Sequence, residues 1–452
     1  ANSVKEQESN KIEFQNTFMR TLKDIVKYLN SDTYSSFDTK QRPLALLKIL
    51  KYFGVMLDRL VGILQSDNWN LRKAIPEEYV GCFIEIISIL NVFYLNQVSL
   101  KLAGTPSSFS TIYPKATNEL KKIIVNSYIL LYTSLKPLIL KDDEKGTELS
   151  DQKEKKLFEL SSNIHALLGF GLMCDCSSGR FLKLLQNELL SAKWTYVDLD
   201  IFQLTKCLYN LPWAIEQYEP FEHETTSVPI ERESALVLTK RFLALAFEKR
   251  DPYFNNIKSD LKAVLDSFSE VIGEPNTKYE RIVRADAVME TYLDSSLNSQ
   301  IFRDSFYGLL DIGISKTQLD IQKIAEQGLY YVQGVMALSL FKIRKRSMQG
   351  RSAELDFVIK MFKADLFCGT RRLESWILLG QSYSFLVEDD LIWTSDKLNS
   401  DRKNNTAISQ KRAILCYLMA VSIYAQMTDE QKENSKRMIA LLWTLLSKEM
   451  YS

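Results

Sequence analysis

Apolar residues recur three and four positions apart along almost the whole chain. Leu44, Leu47, Ile49 and Leu50 run on into Phe53, Met56 and Leu57, and Leu60, Ile63 and Leu64 follow. That is the spacing of a helix with a wide apolar face. Similar segments cover about 12–29, 77–102, 114–140, 155–174, 180–190 and 198–211, so the pattern predicts paired helices. The most apolar run, 79–94, carries Glu85 and Asn91. It is too short and polar to span a bilayer and reads as a buried helix of the fold; no signal-peptide pattern opens the chain.

Breaks in the pattern divide the chain. From 141 to 156 it turns into Asp142-Asp143-Glu144-Lys145-Gly146 and further charge with a single Leu, which predicts a solvated loop. Proline and charge return at 212–233, at Asp251-Pro252 and at Glu274-Pro275. The expected organisation is a helical-hairpin solenoid over 1–211, an acidic and aromatic joint over 212–233, a central helical block over 234–313, and a repeat region over 314–452.

Within that last region a repeat is readable. Trp376, Leu379, Gly380 and Tyr383 fit the first helix of a tetratricopeptide repeat, and Ala413, Tyr417 and Ala420 fit its second. In such a hairpin the glycine lets the helices approach and the small alanine fills the gap opposite. Tyr and Ala stand about nine residues apart in a period of roughly 34, but Tyr383 and Ala413 are 30 apart. About twenty residues are therefore inserted between the two helices, at 388–410. Counting back, Tyr330, Gly334 and Ala337, then Val358, Phe362 and Leu366, fit a preceding repeat, and 427–450 supplies a capping helix. Upstream of Ile314 no repeat is in register.

Composition agrees with an all-α fold, an extended solenoid of helical hairpins that is tetratricopeptide-like in its C-terminal part. Of 452 residues 46% are hydrophobic, while 16 Gly and 10 Pro leave few turn signals for a strand-rich fold. Lys and Arg number 57 against 56 Asp and Glu, a net charge of +1. Such a balance implies neither a DNA-wrapping surface nor an acidic histone sponge, so electrostatic recognition must sit in local patches. The six cysteines are scattered, mostly inside apolar stretches, as expected of free thiols in a reducing compartment.

Enzyme signatures are missing, and no cofactor or metal is expected. His223-Glu224 would need a histidine at 227 to open a zinc-protease helix, and Ser227 stands there. Gly169-Phe170-Gly171 lacks a third glycine and follows a helix, so it is no dinucleotide loop; no Gly-Lys pair exists to build a P-loop. Cys174-Asp175-Cys176 has no second pair at ligand spacing and reads as a structural helix end.

Three surface candidates remain. Lys342, Arg344, Lys345, Arg346 and Arg351 form an acid-free basic run, expected in an inter-helix loop, where it would touch DNA phosphates or an acidic partner or else lie solvated. Glu216, Glu219, Glu222, Glu224, Glu231 and Glu233, interleaved with Trp213, Tyr218 and Phe221, suit a basic partner such as a histone segment. The plain alternative is a charged linker whose aromatics tuck into neighbouring helices. In the insert, Ile392 and Trp393 beside Glu388, Asp389 and Asp390 either dock a partner or pack back onto the repeat.

Read together, Asp365-Leu366, Glu374-Ser375-Trp376, Leu379-Gly380-Gln381, the Glu388-Asp389-Asp390-Leu391-Ile392-Trp393 insert, Lys411-Arg412-Ala413-Ile414 and Cys416-Tyr417 resemble histone transcription regulator 3. That family supplies the scaffold subunit of the HIR histone chaperone complex, with the calcineurin-binding protein cabin as its animal counterpart. The specific match covers roughly 357–424. The resemblance implies a nuclear, non-enzymatic scaffold working with WD-repeat subunits, histones H3-H4 and the anti-silencing-function chaperone. The implied roles are histone deposition independent of replication and repression of histone genes. Net charge of +1 with five local cations, for its part, predicts DNA contact that is weak and non-specific at most. The family's proteins are considerably longer, which implies that this chain is an excised segment; its Ala1-Asn2-Ser3 start fits that reading. Residue patterns by themselves reach only an interaction scaffold. A helical-repeat adaptor in vesicle trafficking shares every bulk feature, and an enzyme would need a partner to supply the chemistry.

Overall fold

A computed structural model describes residues 2–38, 41–69, 77–102, 114–140, 147–191, 197–211, 219–248, 259–275, 279–314, 320–346, 353–394 and 400–451. Within these the fold is all-α, and the chain divides into two compact units, Ala1–Pro229 and Ile230–Ser452.

The first unit holds α1 (Asn2–Leu29), α2 (Asp32–Ser35), α3 (Gln41–Ser66), α4 (Glu77–Leu102), α5 (Pro114–Ile139), α6 (Thr147–Phe170), α7 (Cys176–Ser191) and α8 (Asp198–Tyr209). Helix α5 is its centre and packs on α3, α4, α6 and α7. Its sequence explains why: from Ile123 to Ser134 every residue is buried, so no face is left for water. Two of its polar members are satisfied within the helix itself, Thr133 donating to the Ile129 carbonyl at 2.9 Å and Ser134 to that of Leu130 at 2.5 Å.

Two expectations need correction here. Helix α4, read as wholly buried, packs chiefly on α1 and α5 and buries one side only. Phe83, Ile86 and Leu90 are inside, while Ile84 and Val92 are 50% and 63% exposed. Its continuous apolar sequence hid this asymmetry, since periodicity vanishes when both faces are apolar. The solvated loop placed at 141–156 is also shorter than expected, because α6 already begins at Thr147. Leu157, Ser161, Ile164 and Leu168 form a single buried stripe, and the charges of 151–156 occupy the other faces of the same helix.

The second unit holds α9 (Arg232–Glu248), α10 (Ser259–Ile272), α11 (Glu280–Asp294), α12 (Ser299–Phe306), α13 (Asp320–Gln327), α14 (Leu329–Arg346), α15 (Ala353–Phe367), α16 (Leu373–Thr394), α17 (Ser400–Gln426), α18 (Asp429–Asn434) and α19 (Lys436–Tyr451). Its most extensive packing joins α16 to α17 and α14 to α15. The core lies along 375–384 and 413–422, two runs in which every residue is buried. Both hairpins have the same close point. A Cβ added to Gly380 would stand 2.5 Å from Tyr417 Cε1, and one added to Gly334 would stand 2.8 Å from Phe362 Cε1. In each pair a glycine on the first helix admits an aromatic ring from the second.

Residues 388–394 and 400–410, expected as an insert between the two helices of the repeat, lengthen α16 and α17. The final helix expected over 427–450 is two helices, α18 and α19, meeting at Ser435.

Candidate functional site

The chemistry-bearing residues of the first unit converge where α6 ends. The N–H of Leu172 donates to the Gly169 carbonyl at 2.9 Å and that of Met173 to the Leu168 carbonyl at 2.8 Å, the paired bonds of a Schellman cap. The left-handed position that normally falls to glycine is held by Leu172, at φ 52°. Tyr94 Oη donates to the Gly171 carbonyl at 2.8 Å and Lys121 Nζ to the Leu172 carbonyl at 3.1 Å, so α4 and α5 hold this turn in place. The reversal brings Cys174, fully buried, back beside His165, with its Sγ 4.0 Å from the His165 carbonyl.

The other half comes from α8 and the segment after it. Cys207 lies in the last turns of α8, which closes on Asn210 at φ 52°. Residues 219–231 form no helix, and 221–228 bind along α8. Gln203 brackets Phe221, accepting from its N–H at 2.7 Å and donating to its carbonyl at 2.9 Å. Thr225 Oγ1 donates to the Cys207 carbonyl at 2.6 Å and the Val228 N–H to that of Leu208 at 2.8 Å. Thr226 gives its N–H at 3.3 Å and its hydroxyl at 2.6 Å to Asp175. Held on both flanks, His223 turns inward and is 8% exposed. It lies flat on α6 because position 169 has no Cβ: one there would come within 2.2 Å of His223 Cε1 and Nε2.

The outcome is a buried group of two histidines and two cysteines. The ligand-capable atoms of His165, Cys174, Cys207 and His223 all lie within 4.8 Å of one another. His223 Nδ1 is 3.4 Å from Cys174 Sγ and 3.2 Å from Cys207 Sγ, and the two imidazoles meet edge to face at 5.2 Å. His165 Nε2 is buried without a hydrogen-bond partner. The thiols titrate as a pair: the hydrogen bond from Cys174 favours the thiolate of Cys207, with both imidazoles adding to it, and the same bond together with burial holds Cys174 protonated.

Spacing rules passed over this group because its members come from four places along the chain. The Cys174-Asp175-Cys176 pair that drew attention contributes one member, and Cys176 is not in the cluster. The available signal was scarcity: a chain with only two histidines has both of them buried against each other.

The surface candidates are placed differently from their sequence reading. Trp213, Glu216, Tyr218 and Arg351 lie outside the described residues. Glu219, Glu224, Glu231 and Glu233 are exposed, and Phe221 is 73% exposed rather than tucked away. Glu222 pairs with Lys206 at 3.1 Å.

The basic run begins on the last turns of α14, not in a loop, and its described members have internal partners. Lys342 donates to Gln381 at 2.8 Å, Arg344 pairs with Glu354 at 3.0 Å and Lys345 with Glu388 at 2.5 Å. Glu388 also binds Lys448, and Asp390 accepts from Thr406 at 3.0 Å, so two of the three insert acids are engaged inside the unit; Asp389 is half-buried. Ile392 and Trp393 continue α16, and their side chains, like that of Arg346, lie outside the described residues. Trp376, Leu379, Gly380, Tyr383, Ala413, Tyr417 and Ala420 are all buried in the α16–α17 hairpin, with Trp376 edge-on to Tyr292 at 6.2 Å.

Two units of packed helical hairpins, each organised around helices buried on every side, define an all-α bundle protein. The chain belongs to the histone transcription regulator 3 family. Residues 5–229 match the histone transcription regulator 3 helical domain and residues 249–452 match the HIR3 helical bundle domain. Among its relatives are the histone transcription regulator 3 homologs of Debaryomyces hansenii, 34% identical over 97% of this chain, Candida albicans, 32% over 95%, and Kluyveromyces lactis, 31% over 97%. The chain spans about a quarter of the length of these relatives, covering 25%, 26% and 27% of them respectively.

Proposed function

We propose that this chain is a scaffold segment of a nuclear histone chaperone assembly, holding subunits together without catalysing a reaction. The observation that carries the reading is that both compact units, and not one alone, match domains of the histone transcription regulator 3 family. Supporting it, the described basic and acidic candidates of the second unit are largely consumed by internal pairs, which leaves little free charge there for bulk histone neutralisation. Assembly of subunits is then the main work, with WD-repeat proteins, the anti-silencing-function chaperone and histones H3-H4 as partners. Deposition of H3-H4 independently of replication and repression of histone genes follow from the assembly as a whole. Trp376, Gly380 and Tyr417 serve packing within it. The test is affinity purification of the full-length parent protein from nuclear extract. H3, H4 and WD-repeat proteins are expected to accompany it, and recovery of vesicle-coat or trafficking components in their place would overturn the reading.

A further inference from the structure

We propose that the first unit binds one zinc ion through His165, Cys174, Cys207 and His223, and that the ion fastens the 219–229 segment to α6 and α8. The donor atoms are already gathered. A tetrahedral zinc with sulfur at about 2.3 Å and nitrogen at about 2.0 Å separates its ligand atoms by roughly 3.3–3.8 Å. The observed sulfur-to-Nδ1 distances of 3.4 and 3.2 Å fall at that scale, and the widest separation of 4.8 Å needs only a modest contraction.

Protons alone do not satisfy this group. An imidazole nitrogen either donates one hydrogen bond or accepts one, yet His223 Nδ1 has two sulfurs against it. His165 Nε2 has no hydrogen-bond partner at all, although its residue is 3% exposed. A single cation at the centre of the four residues answers both problems. Charge also balances: two thiolates and a divalent ion sum to zero, which suits a buried site where an unpaired charge is costly.

Ligand type and number narrow the ion. Thiolate with imidazole selects zinc over magnesium or calcium, and four protein ligands leave no position for water or substrate, the mark of a structural centre. Outer contacts orient the set in the way metal sites require. Gln203 Nε2 lies 3.4 Å from Cys207 Sγ, Thr225 ties down the Cys207 carbonyl, and Gly169 leaves room for the His223 ring. The ligands also join what the helices leave apart. His165 and Cys174 flank the end of α6, Cys207 comes from α8, and His223 belongs to a segment with no secondary structure of its own.

Elemental analysis of the 452-residue chain, purified without chelators or a nickel column, tests this directly. One zinc per chain is expected, with an X-ray absorption spectrum of two sulfur and two nitrogen neighbours. Cobalt(II) exchanged into the site should show tetrahedral ligand-field bands with thiolate charge transfer. C207S and H223A should lose the metal, whereas C176S, two residues from a ligand but outside the cluster, should keep it. Because C207S risks misfolding, the unaltered chain supplies a second readout: stripping zinc should speed proteolysis within 219–229, and adding it back should restore resistance. A chain that carries no zinc and takes up no cobalt would overturn the proposal. So would recovery of a Cys174–Cys207 disulfide from freshly purified protein, or loss of metal by C176S.

Discussion

Two glycines do work in this chain that no other residue does as well, and both expose how much a single position reveals before the fold is known. Gly380 was legible from its place between Trp376 and Tyr383, yet the atoms that need its missing Cβ belong to Tyr417, whose hydroxyl is hydrogen-bonded with Ser384 at 2.9 Å. Gly380→Ala gains up to about 1 kcal/mol of helix propensity but overpacks a fully buried ring by about 1–3 kcal/mol. A net loss of roughly 1–2 kcal/mol in chemical denaturation of the second unit is expected. Gly81→Ala, in α4 with nothing within 4 Å, is the matched control and should stabilise by up to about 1 kcal/mol. Gly169 was read only as a failed dinucleotide motif, because its partner His223 is far away in sequence and enters from a segment whose acidic composition suggests a surface. Gly169→Ala should expel His223, so hydrogen exchange at Thr225, Thr226 and Val228 should accelerate while exchange in α5 stays unchanged. Equal acceleration in both would mean that the substitution disturbs the unit generally rather than the His223 seat.

Helix existence followed from three-and-four spacing, but helix ends did not, and the reason is physical. A helix continues wherever one stripe is apolar, however polar its other faces become, so 147–156 reads as a solvated loop although it is helical, and 388–394 and 400–410, read as an insert between two helices, extend those helices instead. Among the charges there, Glu388 and Asp390 are engaged inside the unit, and Glu388 is the clearer case. It joins Lys345 at the end of α14 to Lys448 on α19, linking three helices of the second unit. Burial acts to raise its carboxyl, but the hydrogen bonds and charges of the two lysines outweigh this and hold it below the ordinary glutamate value of 4.5. Its contribution to stability is therefore present above that value and lost as pH falls through the lower, folded one. Glu388→Gln should cost about 1 kcal/mol at pH 7, since all three side chains are partly exposed. The gap between variant and parent should narrow in thermal melts as pH falls below 4.5 and close once the Glu388 carboxyl is protonated in the folded state; a gap that persists in strong acid would mean that Glu388 acts through shape and not charge.

Over the whole molecule, charge balance was the most dependable thing the composition offered, and it bears on DNA. Lysines and arginines exceed acids by one, and the run at 342–346, the strongest local cluster found, lies on a helix with Gln381, Glu354 and Glu388 against its described members. A lysine already paired with a carboxylate releases few counterions when it meets a phosphate, because its own partner must be displaced first. Binding to duplex DNA should accordingly be faint in a gel shift at low salt and absent near physiological salt, with no sequence preference. Replacing Arg344, Lys345 and Arg346 by Ala should change the slope of log affinity against log salt by less than about one unit, where free cations would each have removed nearly that much. The outcome that would defeat this argument is tight binding that survives physiological salt. It would require a basic surface built from residues distant in sequence, as the His165, Cys174, Cys207 and His223 group is, and a composition near neutrality does not forbid one.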